Sequence, residues 1–354
     1  MRHLTLGLAL AATASLASAQ FPAFESPQIR PLAISPDGLR LLATNTPDNR
    51  VAYFSIANPR LPLLLREIRV GLEPVAVAFR TDDEAWVVNH LSDTVSIVDL
   101  TTGVVVATLP VGDEPSSIVF ANGRAFVTIA TRRKVTVFDG STRAHLGDID
   151  VFCDEPRWAT ASHDGTRVFV AAHKSGNDTT IIPFAVAPPP PPPTNPSLPA
   201  APQVGKIVDS EDPAWTAAHS VDLPDYDVFE IDTTALTVVR RHVAVGTILF
   251  GLDVDPSNGS LWVANTEARN LVHFEPALRG HPVDHRITRI TTGGGSPTIT
   301  AFDLNPSIDY SVLPNPAALA TALAQPTDVE FAPSGAELYV AAFGSDRIGV
   351  VNPS

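Results

Sequence analysis

The chain has 354 residues, with 24 Lys and Arg against 38 Asp and Glu, and its formal net charge at neutral pH is −14. A chain of this charge repels phosphate backbones and anionic lipid surfaces, so nucleic acid is excluded as the expected partner. Cys153 is the only cysteine, which excludes an internal disulfide and cysteine-based zinc sites. We expect Cys153 to be a buried small apolar side chain rather than a reactive thiol.

The first nineteen residues predict a secretory signal. Met1-Arg2-His3 is a short basic start, an apolar stretch runs from Leu4 to Leu16, and Ala17-Ser18-Ala19 is a small-residue cleavage site. The apolar stretch is shorter than the roughly 20 residues that a membrane-spanning helix needs, and no later segment qualifies as a span. We therefore expect a mature domain of residues 20–354 that is exported, either periplasmic or extracellular.

A repeated motif follows the signal. Copies open at Pro31, Pro74, Pro115 and Pro156, at spacings of 43, 41 and 41 residues, and two further copies open at Gly251 and Pro326. A period of about 40–45 residues with several short strands per repeat is typical of a β-propeller. The alternative, a β-sandwich, gives no reason for a repeat of this length.

Each copy reads as the same series of strands. The second copy contains "VSIVDLTTGVVVATLPVG", from Val95 to Gly112, which is two apolar runs around a Thr-Thr-Gly turn. Such runs indicate a sheet that is buried on both faces, and neighbouring copies would bury it. The sequence thus predicts an all-β fold, a β-propeller of about six recognisable four-stranded blades or a truncated seven-bladed ring.

These residues carry a resemblance to a known family. "EPVAVAF", "WVVNHLSDTVSIVDLTTGVVVATLPVGDEP" and "LYVAAFGSDRIGVV" resemble the bacterial propeller repeats named for the motif Tyr-Val-Thr-Asn, over residues 29–182 and 226–354. The resemblance implies an exported binding or scaffold module. Related propellers open a sugar lactone, and others precede c-type haem domains similar to cytochrome c peroxidases; "LNPSIDYSVLPNP" resembles the haem-linked kind.

Two inserts interrupt the period. Residues 183–224 hold twelve of the 33 prolines, including the run from Pro188 to Pro193. Proline cannot donate to a sheet ladder and a run of it is extended, so we predict an exposed, mobile Pro-rich loop, either a spacer or a partner-binding arm. The second insert lies between Gly293 and Gln325, where "PNPAALATALAQP" favours one short helix that caps the ring.

The last copy stops after three strands, at "RIGVVNPS". Two interpretations are open. In one, Phe21–Ser26 supplies the missing strand and closes the ring. In the other, which we favour because natural proteins avoid bare apolar sheet edges, the chain continues beyond Ser354 into another blade. No c-type haem motif lies within these residues, so haem is expected only in such an extension.

Candidate binding residues lie where the second strand of each copy ends. The final Asn of the family motif recurs at Asn45, Asn89 and Asn265, and His90 and His173 follow equivalent strand ends. These residues should lie near one rim of the central channel, where they could contact a protein or a small molecule. Two imidazoles could also ligate a metal, but two ligands do not complete a site, and polar capping of strand ends is the simpler interpretation.

A second polar cluster lies within the fourth copy. His219, Asp222, Asp225 and Asp227 occur together in "HSVDLPDYDV". Carboxylates at this density suit a hard cation such as calcium, but an exposed acidic loop is the interpretation we prefer.

The sequence contains no Gly-x-Ser-x-Gly, His-Glu-x-x-His or phosphate-cradling motif. Because propeller sites are assembled from separate blades, this does not exclude catalysis. The leading hypothesis is an exported binding or scaffold propeller without catalysis of its own. The alternative is an enzyme-associated propeller, either a lactonase-like hydrolase or the accessory domain of a c-type haem peroxidase.

Overall fold

The protein is described by a computed structural model that covers residues 25–193, 195–218, 224–273, 275–292 and 295–353. Nearly all of the regular structure is antiparallel β-sheet, arranged as a propeller-like ring of four small sheets and one larger curled sheet. The all-β class that the sequence predicts is confirmed. The predicted secretory signal, residues 1–19, lies outside the described residues.

The first three sheets each contain four strands in chain order. The first sheet consists of β1 (Leu32–Ile34), β2 (Arg40–Asn45), β3 (Arg50–Ser55) and β4 (Leu63–Arg69). The second consists of β5 (Pro74–Thr81), β6 (Glu84–Asn89), β7 (Thr94–Asp99) and β8 (Val104–Pro110). The third consists of β9 (Pro115–Ala121), β10 (Arg124–Ile129), β11 (Lys134–Asp139) and β12 (His145–Asp150).

The curled sheet has eight strands, in two groups of four. One group is β13 (Asp154–Ala161), β14 (Arg167–Lys174), β17 (Val228–Asp232) and β18 (Thr237–His242), and the other is β19 (Ile248–Val254), β20 (Leu261–Ala268), β21 (Val283–Ile290) and β22 (Ile299–Asp303). A single residue pair, Lys174 with Ile248, joins the groups. The last sheet has three strands among the described residues: β23 (Pro326–Phe331), β24 (Leu338–Ala342) and β25 (Arg347–Val351).

Strand register confirms the alignment of the copies. In four of them the proline that opens the sequence copy pairs with the residue aligned with the family's final Asn: Pro74 with Asn89, Pro115 with Ile129, Pro156 with Ala172, and Pro326 with Ala342. The equivalence inferred from the sequence is therefore an equivalence in space. All of these pairs lie at the end of the sheets where first strands begin.

Sheets stack face to face through apolar side chains. Trp86 of β6 is fully buried and meets Phe120 of β9 edge-to-face, with ring centroids 5.5 Å apart. A separate cluster joins the third sheet to the curled sheet and includes Cys153, which is buried. Burial raises the pKa of its thiol to about 12, so the expectation of a buried small apolar residue is confirmed.

The described part of the amino-terminal segment lies against the first two sheets. Ser26 donates its hydroxyl to Glu73 Oε2 at 2.7 Å, and Arg30 forms a parallel bridge with Ala76 of β5. The interpretation in which Phe21–Ser26 completes the last sheet is therefore wrong for Ser26, because this residue is held beside the second sheet. Phe21 to Phe24 lie outside the described residues.

The Pro-rich insert contains more regular structure than its composition predicts. Its base forms a two-stranded hairpin, β15 (Thr179–Ile182) with β16 (Lys206–Asp209). Ile182, Ala187 and Val208 are buried together, with Trp215 packed against them. The His273 ring nitrogen Nε2 lies 2.7 Å from the Ile207 carbonyl, which ties the hairpin to the loop after β20.

Two four-residue helices, α1 (Glu275–Leu278) and α2 (Pro316–Leu319), are the α-helices among the described residues. The second lies where the Ala- and Leu-rich segment predicts a helix, and Asn315 caps it by accepting a hydrogen bond from Ala318 N. Within the described ranges no helix has the length and apolarity needed to cross a membrane.

Candidate functional site

The first strands of five strand groups surround a cavity of about 660 Å³ near the axis of the ring. Most of its wall is apolar and includes Leu32, Ile34, Leu41, Phe79 and Phe120. The charged side chains in the wall are Arg30, Asp328 and Glu330. A volume of this size fits a small organic molecule, for which binding pockets typically measure about 300–1,000 Å³.

Arg30 reaches across the ring. Its backbone lies beside β5, while its guanidinium Nη1 donates to the Ala159 carbonyl of β13 at 2.8 Å. Among the described residues Arg30 makes no ion pair within 4 Å. Its positive charge nevertheless opposes the upward pKa shifts of the nearby carboxylates Asp328 and Glu330. The guanidinium and the carboxylates thus share a cavity without neutralising each other by contact.

Asp328 is positioned by a glycine on the neighbouring sheet. A Cβ atom added at Gly251 of β19 would lie 1.8 Å from Asp328 Oδ1, so only glycine leaves room for this carboxylate. Oδ1 accepts a hydrogen bond from the following amide, Val329 N, at 3.0 Å. Burial raises the pKa of Asp328 to about 6, and the charge of Arg30 opposes the shift.

Glu330 lies two residues further along β23, on the same face of the strand. Desolvation raises its pKa to about 7, and the neighbouring charge of Asp253 adds to the shift. Glu330 remains exposed to water in the cavity, so its shift reflects partial rather than complete desolvation. Its carboxylate has no hydrogen-bond partner among the described residues.

Asp253 supports the same corner from the curled sheet. Its Oδ2 accepts a hydrogen bond from Phe331 N at 2.8 Å, which ties β19 to β23. Burial raises the pKa of Asp253 above its ordinary value, while Arg30 and His163 lower it. Three carboxylates with raised pKa values and one guanidinium therefore meet where the last sheet approaches the axis.

The asparagines predicted at the rim lie at the opposite end of the sheets. Asn89 and Asn265 are fully buried and donate to hydroxyls of their own sheets, Asn89 to Ser96 at 2.9 Å and Asn265 to Thr288 at 2.8 Å. Asn45 donates to Asp48 at the surface. A ligand-binding role for the three stays a prediction, and the observed hydrogen bonds hold strand ends.

His90 and His173 occupy equivalent positions that link neighbouring strand groups. The Nδ1 atom of His90 lies 3.0 Å from the Pro115 carbonyl, and that of His173 lies 3.1 Å from the Leu249 carbonyl. A carbonyl can only accept, so Nδ1 carries the proton in both rings. Thr46 makes the same link to the Pro74 carbonyl at 2.8 Å.

These two histidines contact different strand groups, and nothing in the described structure brings them together. Burial lowers the pKa of His173, whose ring packs against Trp158 and Phe250. No group of three His, Cys, Asp or Glu side chains among the described residues is arranged to hold a metal ion. The channel-rim role of His90 and His173 stays a prediction.

The acidic segment of the fourth copy divides. Asp227 is fully buried, and its Oδ2 accepts hydrogen bonds from Val245 N and Gly246 N at 2.6 and 3.2 Å. Burial raises its pKa to about 7. The interpretation of Asp227 as part of an exposed loop is therefore wrong; the carboxylate holds the turn before β19. His219 and Asp222 lie outside the described residues.

Sequence reasoning missed the residues of the cavity. A signal was present: the first strands read "PVAVAF" and "PSSIVF" in the second and third copies but "PTDVEF" in the last. Two carboxylates on one face of a strand that is otherwise apolar are costly unless they serve a purpose. Arg30 precedes the first copy and had no counterpart in the repeat to draw attention to it.

No protein-family model matches the sequence, and the search of curated proteins gives no match. Solved structures do resemble the fold. One is the hydrazine synthase of Kuenenia stuttgartiensis, with a TM-score of 0.69 and 19% identity over 94% of this chain and 79% of that one. Another is a putative 6-phosphogluconolactonase from Bacteroides uniformis, with a TM-score of 0.59 and 14% identity over 91% and 80%.

A third similar structure is the β-propeller domain of Cps50 (Swd1) from Myceliophteria thermophila, with a TM-score of 0.56 and 13% identity, covering 91% of this chain and 82% of that one. At these identities the likeness concerns the fold alone. Taken with the ring of stacked sheets, it shows that this chain has a β-propeller fold.

Proposed function

We propose that the chain is an exported propeller of six blades, of the Tyr-Val-Thr-Asn repeat kind, that binds a ligand in its central cavity without catalysis of its own. The curled sheet counts as two blades in this view, because one residue pair alone joins its two groups of four strands. Export rests on the predicted signal in residues 1–19.

The observation that carries the binding function is the cavity itself. It combines an apolar wall with a few charged groups that have no direct counterion, which is the composition typical of small-molecule sites. Keeping Asp328 and Glu330 there costs free energy, as their raised pKa values indicate. A ligand that complements these groups would offset that cost.

Lactone hydrolysis receives less support from the same residues. The name of the Bacteroides uniformis structure implies a phosphorylated lactone, and a phosphate would be repelled by Asp328 and Glu330. His90 and His173 each bond to a backbone carbonyl through Nδ1, an arrangement that links blades. We therefore keep the binding module as the proposed function.

The test is a ligand screen on purified protein by thermal shift, followed by calorimetry on the variants Arg30→Ala and Glu330→Gln. A ligand of the cavity should lose affinity at least tenfold in one of them. Glu337→Gln is the matched control, because Glu337 lies in the exposed turn between β23 and β24. Binding that neither variant alters, or sustained turnover of a lactone, would contradict the proposal.

A further inference from the structure

The cavity carries an excess of negative groups that the protein leaves unpaired. The Glu330 carboxylate has no hydrogen-bond partner among the described residues, and the one hydrogen bond of the Asp328 carboxylate comes from the amide next to it. The Arg30 guanidinium already donates one hydrogen bond to the Ala159 carbonyl. Two carboxylates thus face the cavity against one guanidinium, and Asp253 lies behind them.

The protein fixes the position of the Asp328 carboxylate through its surroundings. Asp328 is partly buried, and the surface that remains exposed opens on the cavity. Gly251 makes room for it, since a Cβ atom there would overlap Oδ1. A partly buried carboxylate with one oxygen left without a hydrogen bond is a group that a ligand cation can satisfy.

The remaining wall defines the rest of the ligand. Leu32, Ile34 and Leu41 line the side of the first sheet, and Phe79 and Phe120 line the second and third sheets. A fully hydrated ion such as a metal aquo-complex gains nothing from these side chains, whereas an alkyl or aromatic body buries apolar surface against them. The chemistry therefore favours a molecule with one cationic end and an apolar body.

We propose that the cavity binds an organic amine, whose ammonium group pairs with Asp328 and Glu330 and whose apolar body packs against the first three sheets. This inference rests on the binding function proposed above and names its ligand class. Arg30 acts against the ammonium and limits affinity, so its removal strengthens binding, the opposite of what a carboxylate ligand would show.

The pH dependence of ligand binding provides an independent test of the proposal. The free carboxylates are partly protonated between pH 5 and 7, because their pKa values are raised to about 6 and about 7. A cation favours their ionised forms and so displaces protons. Affinity should rise from pH 5.5 to pH 8, and binding near pH 6.5 should release protons into the buffer.

The experiment is calorimetry of the full chain with hexylamine, hexan-1-ol and hexanoate as probes of equal length. Hexylamine should bind at least tenfold more tightly than hexan-1-ol. Glu330→Gln should weaken hexylamine at least tenfold, Arg30→Met should strengthen it severalfold, and Glu337→Gln should leave it unchanged. Repeating the titration in two buffers of different ionisation enthalpy measures the released protons.

The outcomes separate the two proposals. Hexan-1-ol or hexanoate binding as well as hexylamine, with sensitivity to Arg30→Met or Glu330→Gln, overturns the amine but keeps the cavity as a binding site. Amine binding that Glu330→Gln leaves unchanged places the ligand elsewhere and overturns the inference. If none of the three probes binds, both the amine and the cavity fail.

Discussion

The junction between the second and third sheets differs sharply from the two sheet faces at the ends of the stack. In the junction Trp86 is fully buried against Phe120. On the first sheet, by contrast, Leu32 and Ile34 are 59% and 62% exposed. On the last sheet, Ile348 and Val350 are 72% and 59% exposed. We call these two surfaces the open faces.

The open faces have the same strand pattern as the buried ones. Strand register places Ile348 and Val350 on the face that carries Asp328 and Glu330, because Ala341 pairs with both Asp328 and Ile348, and Tyr339 pairs with both Glu330 and Val350. Leu32 and Ile34 line the same cavity as the two carboxylates. Burial of a face thus depends on its neighbour, and the cavity lies where sheet-to-sheet packing ends.

The largest effect should follow a change in the filled junction. Trp86→Ala removes a fully buried indole. It should lower the free energy of unfolding by about 3–5 kcal/mol, because the surrounding side chains cannot completely fill the space that the indole leaves. Chemical denaturation measures this. A loss below about 1 kcal/mol would mean that the junction is loosely packed and that the comparison with the open faces is mistaken.

A smaller effect is expected beside the cavity, where the curled sheet packs against the last sheet. Gly251→Ala places a methyl group 1.8 Å from Asp328 Oδ1, which forces the strand or the carboxylate to move and should cost about 1–3 kcal/mol. It should also weaken any cavity ligand that needs Asp328. Gly259→Ala is the control for glycine replacement away from the cavity, because a Cβ there meets nothing within 4 Å, although its φ of +75° adds strain. Equal ligand affinity in Gly251→Ala and the wild type would remove Asp328 from the site.

The free energy of unfolding should depend on pH through the two carboxylates of the cavity, Asp328 and Glu330. Unfolded Asp and Glu titrate near pH 4, whereas the folded pKa values are about 6 for Asp328 and about 7 for Glu330. The folded state therefore holds these protons to higher pH, and their stabilising contribution is complete below pH 4 and is lost as pH rises through 6 to 7.

Between pH 5 and pH 8 the decrease in unfolding free energy should be shallower in Glu330→Gln than in the wild type, as urea denaturation at several pH values can show. Asp227 titrates in the same range and serves as internal reference, because it is unchanged in both proteins. Parallel pH profiles of the two proteins would exclude Glu330 as a group with a raised pKa.

The smallest effect is expected on the open face. Ile348→Ala removes a side chain that is 72% exposed and should change the free energy of unfolding by less than about 0.5 kcal/mol. Ile97→Ala, in the filled junction and fully buried, provides the contrast and should cost about 2–5 kcal/mol. Similar losses in the two variants would show that Ile348 is covered in solution.

Much of this fold was predictable from its repeat. The opening prolines and the residues aligned with the family's final Asn pair as their positions in the sequence imply, because one strand pattern with one turn chemistry gives one register. The burial of Cys153 was predictable because a free cysteine usually behaves as a small apolar side chain. The hairpin under the Pro-rich insert was missed because the prolines dominate the composition around two four-residue strands.

The cavity was less predictable, since its residues come from separate parts of the chain. Arg30 precedes the first repeat, while Asp328 and Glu330 belong to the last, and only the folded arrangement of the sheets around the cavity brings them together. The sequence instead predicted a ligand-binding role for polar residues at strand ends. Asn89 and Asn265 are two of these residues, and both are buried and form hydrogen bonds within their own sheets. Residues that depart from the repeat therefore indicate the candidate site better than residues that conform to it.

Native-state thiol labelling tests the central claim most directly, that the cavity beside the open faces is accessible while the junctions are filled. Cys153 is buried and its pKa is about 12, so it stays silent. Ile34→Cys should react with a maleimide as fast as an exposed thiol, a ligand in the cavity should slow it, and Val88→Cys in the filled junction should not react. Protection of Ile34→Cys equal to that of Val88→Cys without ligand would contradict the account.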